Sequence, residues 1–336
     1  MTTPFPSRRL ATLVAAILST LLLLTACSGS DGSSDTDAND SASGAGYPVR
    51  VDSTYGEITV DKKPERIVVI GADYVDMLAA LGEKPIAYAG SGEADEEALF
   101  KLYPWLADVQ TGPFDASLIT TEYKANAEAI ARLNPDLIIG TPYYIEQPQY
   151  DQLSAIAPTF VTIFSPDRQW TDNLTDFGTL TGKSAEAAQV IADVDAEFVE
   201  ARKLLTGLQD KTVSIADFYG GGLRLMPTYR WVEDLGLKPA ANQPPAGSPL
   251  EPLSPENLDQ FEGQVSLIAT YDEETRAALE ADPRFADLPS VQNEAQFFVG
   301  RPIIDAGLAA GPASLSWLLN QIMPLLESTP LNSAGQ

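Results

Sequence analysis

The 336-residue chain contains no histidine and only one cysteine. Histidine is the commonest general base and metal ligand in proteins, so its absence excludes Ser-His-Asp and Cys-His catalysis. Zinc sites of the usual kinds are excluded as well, because they are built from several histidines and cysteines. Sites made only of carboxylates or tyrosines remain open. The composition therefore predicts a protein that is not an enzyme and that carries no resident metal or cofactor.

Basic residues are scarce too: 21 Lys and Arg stand against 47 Asp and Glu, which gives a formal net charge of −26. A nucleic-acid-binding protein needs a basic face for the phosphates, and this balance argues against one. Self-repulsion at this charge favours a soluble monomer. After the amino terminus, no apolar run is long enough to span a membrane.

The first 26 residues have the layout of a lipoprotein signal peptide. Arg8 and Arg9 precede an apolar run over residues 10–24. Residues 24–27 then read LTAC, of which the last letter is Cys27. This ending matches the bacterial lipobox, in which the cysteine thiol receives the lipid. The pattern predicts export and a lipid anchor at Cys27 on the extracytoplasmic face of the cell membrane. An uncleaved signal anchor with an incidental cysteine is the alternative.

A low-complexity segment separates this anchor from the rest of the chain. Residues 28–46 contain only Ser, Gly, Asp, Thr, Ala and Asn, which cannot fill a core and predict a flexible acidic linker. We predict six regions: a signal peptide (1–26), the lipidated cysteine with its linker (27–46), a first α/β lobe (47–183), a connecting helix (184–207), a second α/β lobe (208–328) and a tail (329–336).

Short apolar runs alternate with helical patterns in two blocks of the chain. The expected strands cover residues 66–71, 85–90, 136–140 and 159–164 in the first block, and 212–218, 266–271 and 296–300 in the second. This alternation predicts βα units and mostly parallel sheets. Between the blocks, Ser184–Leu205 is rich in alanine and free of Gly and Pro, which predicts one long helix. A small hairpin is expected over residues 49–60.

Two glutamates occupy corresponding places in the two blocks. Glu128 and Glu256 each stand two positions after a capping residue, Asn126 and Ser254, and each precedes a strand. A carboxylate in the first turn stabilises any helix through the macrodipole, and that role explains the spacing by itself. A docking role for the pair is the other interpretation.

Several segments of the chain together resemble the bacterial ABC-transporter substrate-binding proteins for iron–siderophore complexes. The similarity extends from about residue 64 to residue 326. Each motif is short, but they occur in the order that the family has. They are Lys63–Gly71 followed by Asp76–Pro85, Glu128–Ile139, Leu180–Ser184 at the start of the long helix, and Asp282–Asn293.

The resemblance implies a class III periplasmic-binding-protein fold, in which two Rossmann-like lobes are joined by a single rigid helix. It implies a protein that captures a ferric siderophore between the lobes and delivers it to an ABC permease. Binding of haem or another iron chelate on the same fold is the alternative. The resemblance also implies that Glu128 and Glu256 engage arginines of the permease, for which bidentate Arg–carboxylate pairs are suited.

In folds of this kind the ligand lies at the carboxyl ends of the strands. A ferric siderophore is usually an anionic, partly aromatic complex, so arginines and aromatic rings are the expected partners. Arg224, which follows a Gly-rich turn, is the foremost candidate among them. Any single tyrosine can instead pack against a lobe. The candidates are Asp73, Tyr74, Ser91, Tyr143 and Tyr144 in the first lobe, and Tyr219, Arg224, Arg230, Trp231, Tyr271 and Arg301 in the second.

Other interpretations stay open at this point. Tyr143 and Tyr144 suit a binder of bare ferric ions, and a Rossmann-like scaffold can carry an exported enzyme. The glycines at 220–222 are not followed by a helical pattern, which counts against a phosphate-binding turn. Some members of the family complete the iron coordination with a histidine, which this chain lacks. That departure favours a ligand whose own oxygens saturate the iron.

Overall fold

A computed structural model gives the structure of residues 46–333, apart from residues 91, 110, 220, 221, 247, 249, 251 and 271. For residues 219, 222, 255 and 256 it describes the backbone alone. The predicted signal peptide, Cys27 and the linker up to residue 45 therefore lie outside the described residues. Among those that are described, no helix has both the length and the apolar character needed to cross a membrane.

An amino-terminal hairpin precedes the first sheet, as the sequence predicts. Its strands β1 (Val49–Ser53) and β2 (Gly56–Val60) pair antiparallel around a turn in which Gly56 has φ +112°. The first sheet is entirely parallel and has the strand order β4-β3-β5-β6. Its strands are β3 (Ile67–Ile70), β4 (Ala87–Ala89), β5 (Leu137–Gly140) and β6 (Thr159–Val161).

The second sheet is mixed and has the order β10-β8-β7-β11-β12, with β9 also pairing with β7. Strands β7, β11 and β12 run parallel, whereas β8 is antiparallel to β7. The sequence pattern did not predict β8, where Arg224 lies. The strands are β7 (Thr212–Tyr219), β8 (Gly222–Leu225), β9 (Lys238–Pro239), β10 (Pro252–Leu253), β11 (Val265–Ala269) and β12 (Gln296–Val299).

Twelve α-helices are assigned within the described residues, and the long one predicted from the sequence begins at the predicted residue. They are α1 (Val75–Ala80), α2 (Glu96–Leu102), α3 (Ala127–Arg132), α4 (Gln147–Leu153), α5 (Trp170–Thr181), α6 (Ser184–Leu204), α7 (Arg230–Asp234), α8 (Glu273–Glu280), α9 (Pro289–Gln292), α10 (Arg301–Ala309), α11 (Pro312–Glu327) and α12 (Pro330–Ser333).

The boundary between α5 and α6 depends on two glycines. Gly182 ends α5 in the left-handed conformation, with φ +72°, which glycine adopts without steric cost. Gly178 lies where the two helices approach closely, because a Cβ at this position would come within 2.7 Å of the Ala187 Cβ. The two helices therefore turn tightly, and α6 starts at a fixed place under the sheets.

One apolar core lies between both sheets and the helices α6 and α11. It contains Val69 and Ile139 from the first sheet and Ile215 and Leu267 from the second. Helix α6 contributes Val194 and Phe198, and α11 contributes Leu318, Ile322 and Leu326. The opposite faces of the two sheets have separate, smaller cores. The described residues between 46 and 333 accordingly belong to one compact unit, in which the two sheets share a single helical layer.

Helix α11 closes this core against the first lobe although it comes from the end of the chain. It contacts α1, α6 and the 3₁₀ turn Pro104–Asp108, and the Trp105 and Trp317 rings lie 5.8 Å apart. Leu318, at the middle of α11, is fully buried. The two lobes are therefore held at a fixed separation by packing rather than by the connecting helix alone.

Because both lobes depend on α11, we expect Leu318→Ala to destabilise them together. Removal of this buried side chain should lower the free energy of unfolding by about 3 kcal/mol. Urea denaturation followed by circular dichroism and by tryptophan fluorescence should give one coincident transition at lower urea. Leu308→Ala, on an α10 side chain that is 55% exposed, is the control and should stay within about 0.5 kcal/mol of wild type. Two separated transitions would contradict the shared core.

Candidate functional site

The carboxyl ends of the strands of both sheets face each other across one site. Asp73 follows β3 in the first lobe, and Arg301 follows β12 in the second. Tyr103, at the end of α2, donates a hydrogen bond to Asp73, and the Asp305 carboxylate is close enough to raise the pKa values of both. The strand ends thus meet through side chains from both lobes.

Asp217 is the centre of the second lobe's part of this site. Its side chain is fully buried and accepts hydrogen bonds from two arginines. Arg224 Nε lies 2.8 Å from Oδ1 and Nη2 2.5 Å from Oδ2, while Arg301 Nη1 lies 3.1 Å from Oδ2. Arg301 Nε also donates to Asp305 Oδ1 at 2.7 Å. Asp217 stands directly opposite Arg224 in the β7–β8 register, so the strand pairing itself makes the contact.

Together these groups form a polar row from one lobe to the other, which we call the interlobe row; hydrogen bonds join its members within each lobe, and Asp305 lies within electrostatic range of Asp73 and Tyr103. Its members, in order, are Asp73, Tyr103, Asp305, Arg301, Asp217 and Arg224.

Burial governs the protonation of the interlobe row. Desolvation raises the pKa of Asp73 to about 6, against the hydrogen bond from Tyr103, and nearby Asp305 raises it further. Desolvation also raises the pKa of Asp305, and Arg301 opposes that shift. The pKa of the Tyr103 hydroxyl is raised chiefly by desolvation and then by Asp73. The interlobe row therefore places carboxylates in a buried environment that disfavours their ionised form, and two arginines balance their charge.

The structure places several predicted ligand residues inside the lobes rather than on the cleft surface. Tyr74 is 8% exposed, and its hydroxyl lies 2.6 Å from Thr162 Oγ1. Trp231 is 5% exposed and stacks on Tyr229 with ring centroids 6.0 Å apart. Tyr144 is buried and packs edge-on against Tyr143.

Other predicted residues are placed differently. Tyr143 is 65% exposed, and Arg230 is exposed and pairs with Asp234 at 3.6 Å. Ser91 and Tyr271 lie outside the described residues. For Tyr219 the backbone ends β7, just before the glycines at 220–222 in the sequence, and its side chain is not described. Arg224 and Arg301 come together at Asp217, as the interlobe row shows.

Sequence reasoning missed several residues that the structure brings to the strand ends. Asp217 had a signal, since it is the one charged residue in an otherwise apolar and small-residue strand, where a carboxylate needs a partner. Asp305 follows Arg301 by one helical turn, a spacing at which opposite charges pair. Tyr103, Tyr123 and Phe164 carried no such signal. Phe164 lies beyond the end of β6 and is 76% exposed, and Tyr123 is 51% exposed.

No group of three or more His, Cys, Asp or Glu side chains that could hold a metal ion occurs in the part of the chain that the structure describes. The Tyr229 hydroxyl is buried near Asp305, Arg301 and Asp217, and no described residue hydrogen-bonds to it. Desolvation is the main cause that raises its pKa, so it stays a neutral donor that faces the row. This chemistry suits hydrogen bonding to a ligand's oxygens.

Two α/β lobes on a shared helical layer, with polar residues joined across their strand ends, define a two-lobed solute-binding protein. The sequence of residues 67–300 matches the periplasmic binding protein family, and the chain belongs to that family. The connectivity agrees with the fold expected from the sequence, since the two sheets lie on either side of α6 in chain order.

Two of the relatives are named for the binding of siderophores. The probable siderophore-binding lipoprotein YfiY of Bacillus subtilis is 33% identical over 225 residues, which cover 66% of this chain and 65% of that protein. The match therefore spans just under two thirds of that relative's length. The ferric enterobactin-binding periplasmic protein FepB of Escherichia coli is 27% identical over 282 residues, which cover 76% of this chain and 85% of FepB.

Solved structures show the same fold. A periplasmic solute-binding protein from Mycobacterium smegmatis superposes with a TM-score of 0.68 at 27% identity, covering 83% of this chain and 97% of that one. Staphylococcus aureus SirA, complexed with staphyloferrin B, gives a TM-score of 0.67 at 21% identity, covering 84% and 99%. At that identity the likeness to SirA is one of fold alone.

Asp76, a buried carboxylate one turn after Asp73, joins α1 to the last long helix. Asp76 Oδ2 accepts a hydrogen bond from the Ser314 backbone N–H at 3.1 Å, at the amino terminus of α11. The contact is close, since a Cβ on Gly311 would lie 2.3 Å from Asp76 Oδ1. Desolvation raises the pKa of Asp76 from 3.8 to about 7, although backbone N–H groups oppose the shift.

The raised pKa of Asp76 determines in which direction the stability of the protein changes with pH. Between about pH 4 and pH 7 the folded protein holds a proton on Asp76 that the unfolded chain releases, so Asp76 lowers stability as the pH rises through that window. We expect the unfolding free energy of wild type relative to Asp76→Asn to fall from pH 4 to pH 7 and then to level off. Urea denaturation at a series of pH values measures it. A difference independent of pH would contradict the raised pKa.

Proposed function

We propose that this protein captures a ferric siderophore in the cleft between its lobes and delivers it to an ABC permease for iron uptake. The observation that carries the proposal is the interlobe row, which joins the strand ends of the two lobes at the place where ligands bind in such folds. The family membership and the relatives named for ferric siderophores support it. The role is binding rather than catalysis.

The cleft offers a siderophore both polar and apolar partners. Arg224 and Arg301 present guanidinium groups held in place by Asp217, which suits hydrogen bonds to the oxygen shell of an iron chelate. Tyr143 and Phe164 expose their rings at the strand ends of the first lobe. Iron is cargo here, and the siderophore's own oxygens fill its coordination sphere. No resident cofactor is needed.

A direct titration tests the proposal. The protein without its signal peptide is titrated with ferric catecholate, hydroxamate and carboxylate siderophores and with haem, and tryptophan fluorescence is followed. We expect a ferric siderophore to quench it, because Trp231 packs on Gly307 of α10, whose first residue, Arg301, lies in the cleft. The iron-free siderophores are the control. A response to haem alone, marked by a Soret band, or to none of these would overturn the proposal.

We further propose that Cys27 is lipidated and holds the protein at the extracytoplasmic face of the cell membrane. The lipobox that ends at Cys27 supports this, and two relatives are named as lipoproteins. A tether keeps a monomeric binding protein near its permease. Metabolic labelling with an alkyne-tagged fatty acid should mark wild type and not Cys27→Ser. Equal labelling of both would contradict the anchor.

Docking to the permease is assigned to one glutamate on each lobe, Glu128 and Glu256. Glu128 lies in the first turn of α3, which Asn126 caps through a hydrogen bond from the Ala129 N–H at 3.2 Å. Its side chain is 87% exposed and pairs with Arg132 at 3.0 Å. Glu256 lies near the start of a 3₁₀ turn over Pro255–Gln260, and its side chain is not described. A carboxylate on each lobe can accept an arginine fork from a partner.

For these glutamates we expect the double change Glu128→Ala with Glu256→Ala to leave ligand affinity unchanged and to abolish uptake. Uptake of radioactive ferric siderophore by cells that carry each variant, beside fluorescence titration of the purified proteins, separates the two effects. Glu200→Ala is a matched control, since Glu200 is 72% exposed and pairs with Lys203. Lost affinity with normal uptake would contradict the docking role.

A further inference from the structure

The two arginines of the interlobe row are already balanced by carboxylates. Arg224 donates two hydrogen bonds to Asp217, and Arg301 donates one each to Asp217 and Asp305. The side chain of Asp217 is 0% exposed. A ligand that drew either arginine away would weaken the pairing of a buried charge, which is unfavourable. The carboxylates therefore neutralise the positive charge of these arginines within the protein, although the arginine N–H groups can still donate hydrogen bonds.

Other cations near the strand ends are paired as well, so they add no net positive charge. None of the undescribed residues between 46 and 333 is a lysine or an arginine. The further pairs are Lys124 with Glu146 at 2.5 Å, Arg168 with Asp176, and Arg230 with Asp234 at 3.6 Å.

Carboxylates, by contrast, are in surplus around the cleft. Asp73 adds one within the interlobe row, where its partner is the neutral Tyr103 hydroxyl. The segments that follow β4 and β11 are acidic, and the first basic residues after them, Lys101 and Arg276, pair with Glu97 and Glu280. The acidic residues in these segments are Glu93, Asp95, Glu96 and Glu97 after β4, and Asp272, Glu273 and Glu274 after β11.

The first lobe supplies apolar contact area at the same edge. Tyr123, Tyr143 and Phe164 are 51%, 65% and 76% exposed, respectively. Tyr143 and Phe164 follow β5 and β6, and the Tyr123 ring lies against Gly92, which follows β4. Three exposed aromatic rings along one sheet edge suit a ligand that is bound by packing and hydrogen bonds rather than by charge.

We propose that this cleft selects ferric complexes with no net charge or with positive charge, namely ferric trihydroxamates, over the multiply anionic catecholate and citrate complexes. Three hydroxamates carry one negative charge each and so balance ferric iron, whereas three catecholates leave a strongly anionic complex. The surplus of carboxylates repels the anionic complexes. The inference rests on the proposed function and narrows its ligand. It replaces the anionic ligand that the arginines alone suggest.

The first test compares complexes of different charge on the wild-type protein without its signal peptide. The probes are ferrioxamine B (cationic), ferrichrome (neutral), ferric enterobactin and ferric dicitrate (both anionic), titrated at low ionic strength. We expect the two trihydroxamates to bind at least about 100-fold more tightly than the two anionic complexes. Tighter or equal binding of an anionic complex overturns the inference and leaves the proposed function standing. Absence of binding by all four overturns the proposed function itself.

The second test removes one cleft carboxylate at a time. Asp217→Asn and Asp73→Asn should each raise the affinity for ferric enterobactin, relative to ferrichrome, by about tenfold. Asp73 is partly exposed, so the test does not depend on the fold tolerating a change at buried Asp217. Asp210→Asn is the matched control, because Asp210 is 78% exposed next to the amino end of β7, at the opposite edge of the sheet. An unchanged ratio in Asp73→Asn, or an equal gain in Asp210→Asn, overturns the inference.

Discussion

A single apolar layer beneath both sheets is the constraint on which the rest of this structure depends. Helices α6 and α11 bury their side chains against strands of both lobes, so the core is continuous from Val51 to Leu326. Such packing contributes most of the favourable free energy of folding. It also leaves the lobes little freedom to rotate relative to each other. The polar interlobe row can then hold its geometry before any ligand arrives. The distance between the two lobes, each of which carries one of the glutamates proposed for docking, is set in the same way.

Charge in the cleft is organised around one buried carboxylate. Asp217 fixes Arg224 and Arg301, and so decides where their N–H groups point and how little positive charge they offer. A flexible arginine would lose side-chain entropy on binding, whereas one already held loses little. The same carboxylate that orients the donors also cancels their charge. Under the proposed function, recognition therefore depends on direction and shape more than on electrostatic attraction.

The sequence predicts the fold well because its signals are local. Ile67–Ile70 and Leu137–Gly140 are buried throughout, as parallel strands must be, and Gly182 marks the start of α6. The sequence pattern did not predict strand β8, because a four-residue segment that begins at the last of three glycines resembles a loop. In the site, the sequence indicates Arg224 and Arg301 but not their shared partner. That partnership depends on β7–β8 register and on packing between distant segments, which no local pattern encodes.

The position of α11 in the chain has a consequence for biosynthesis. Residues 312–327 cover apolar side chains of the first lobe, yet the ribosome makes them long after that lobe. Until they arrive, the first lobe exposes the surface around α1 and Trp105 and cannot complete its core. Contacts between such remote segments form slowly, because a long loop must close first. A chain whose folding is delayed in this way stays unfolded for longer. The unfolded state is the one in which a polypeptide crosses a membrane through a narrow translocation channel.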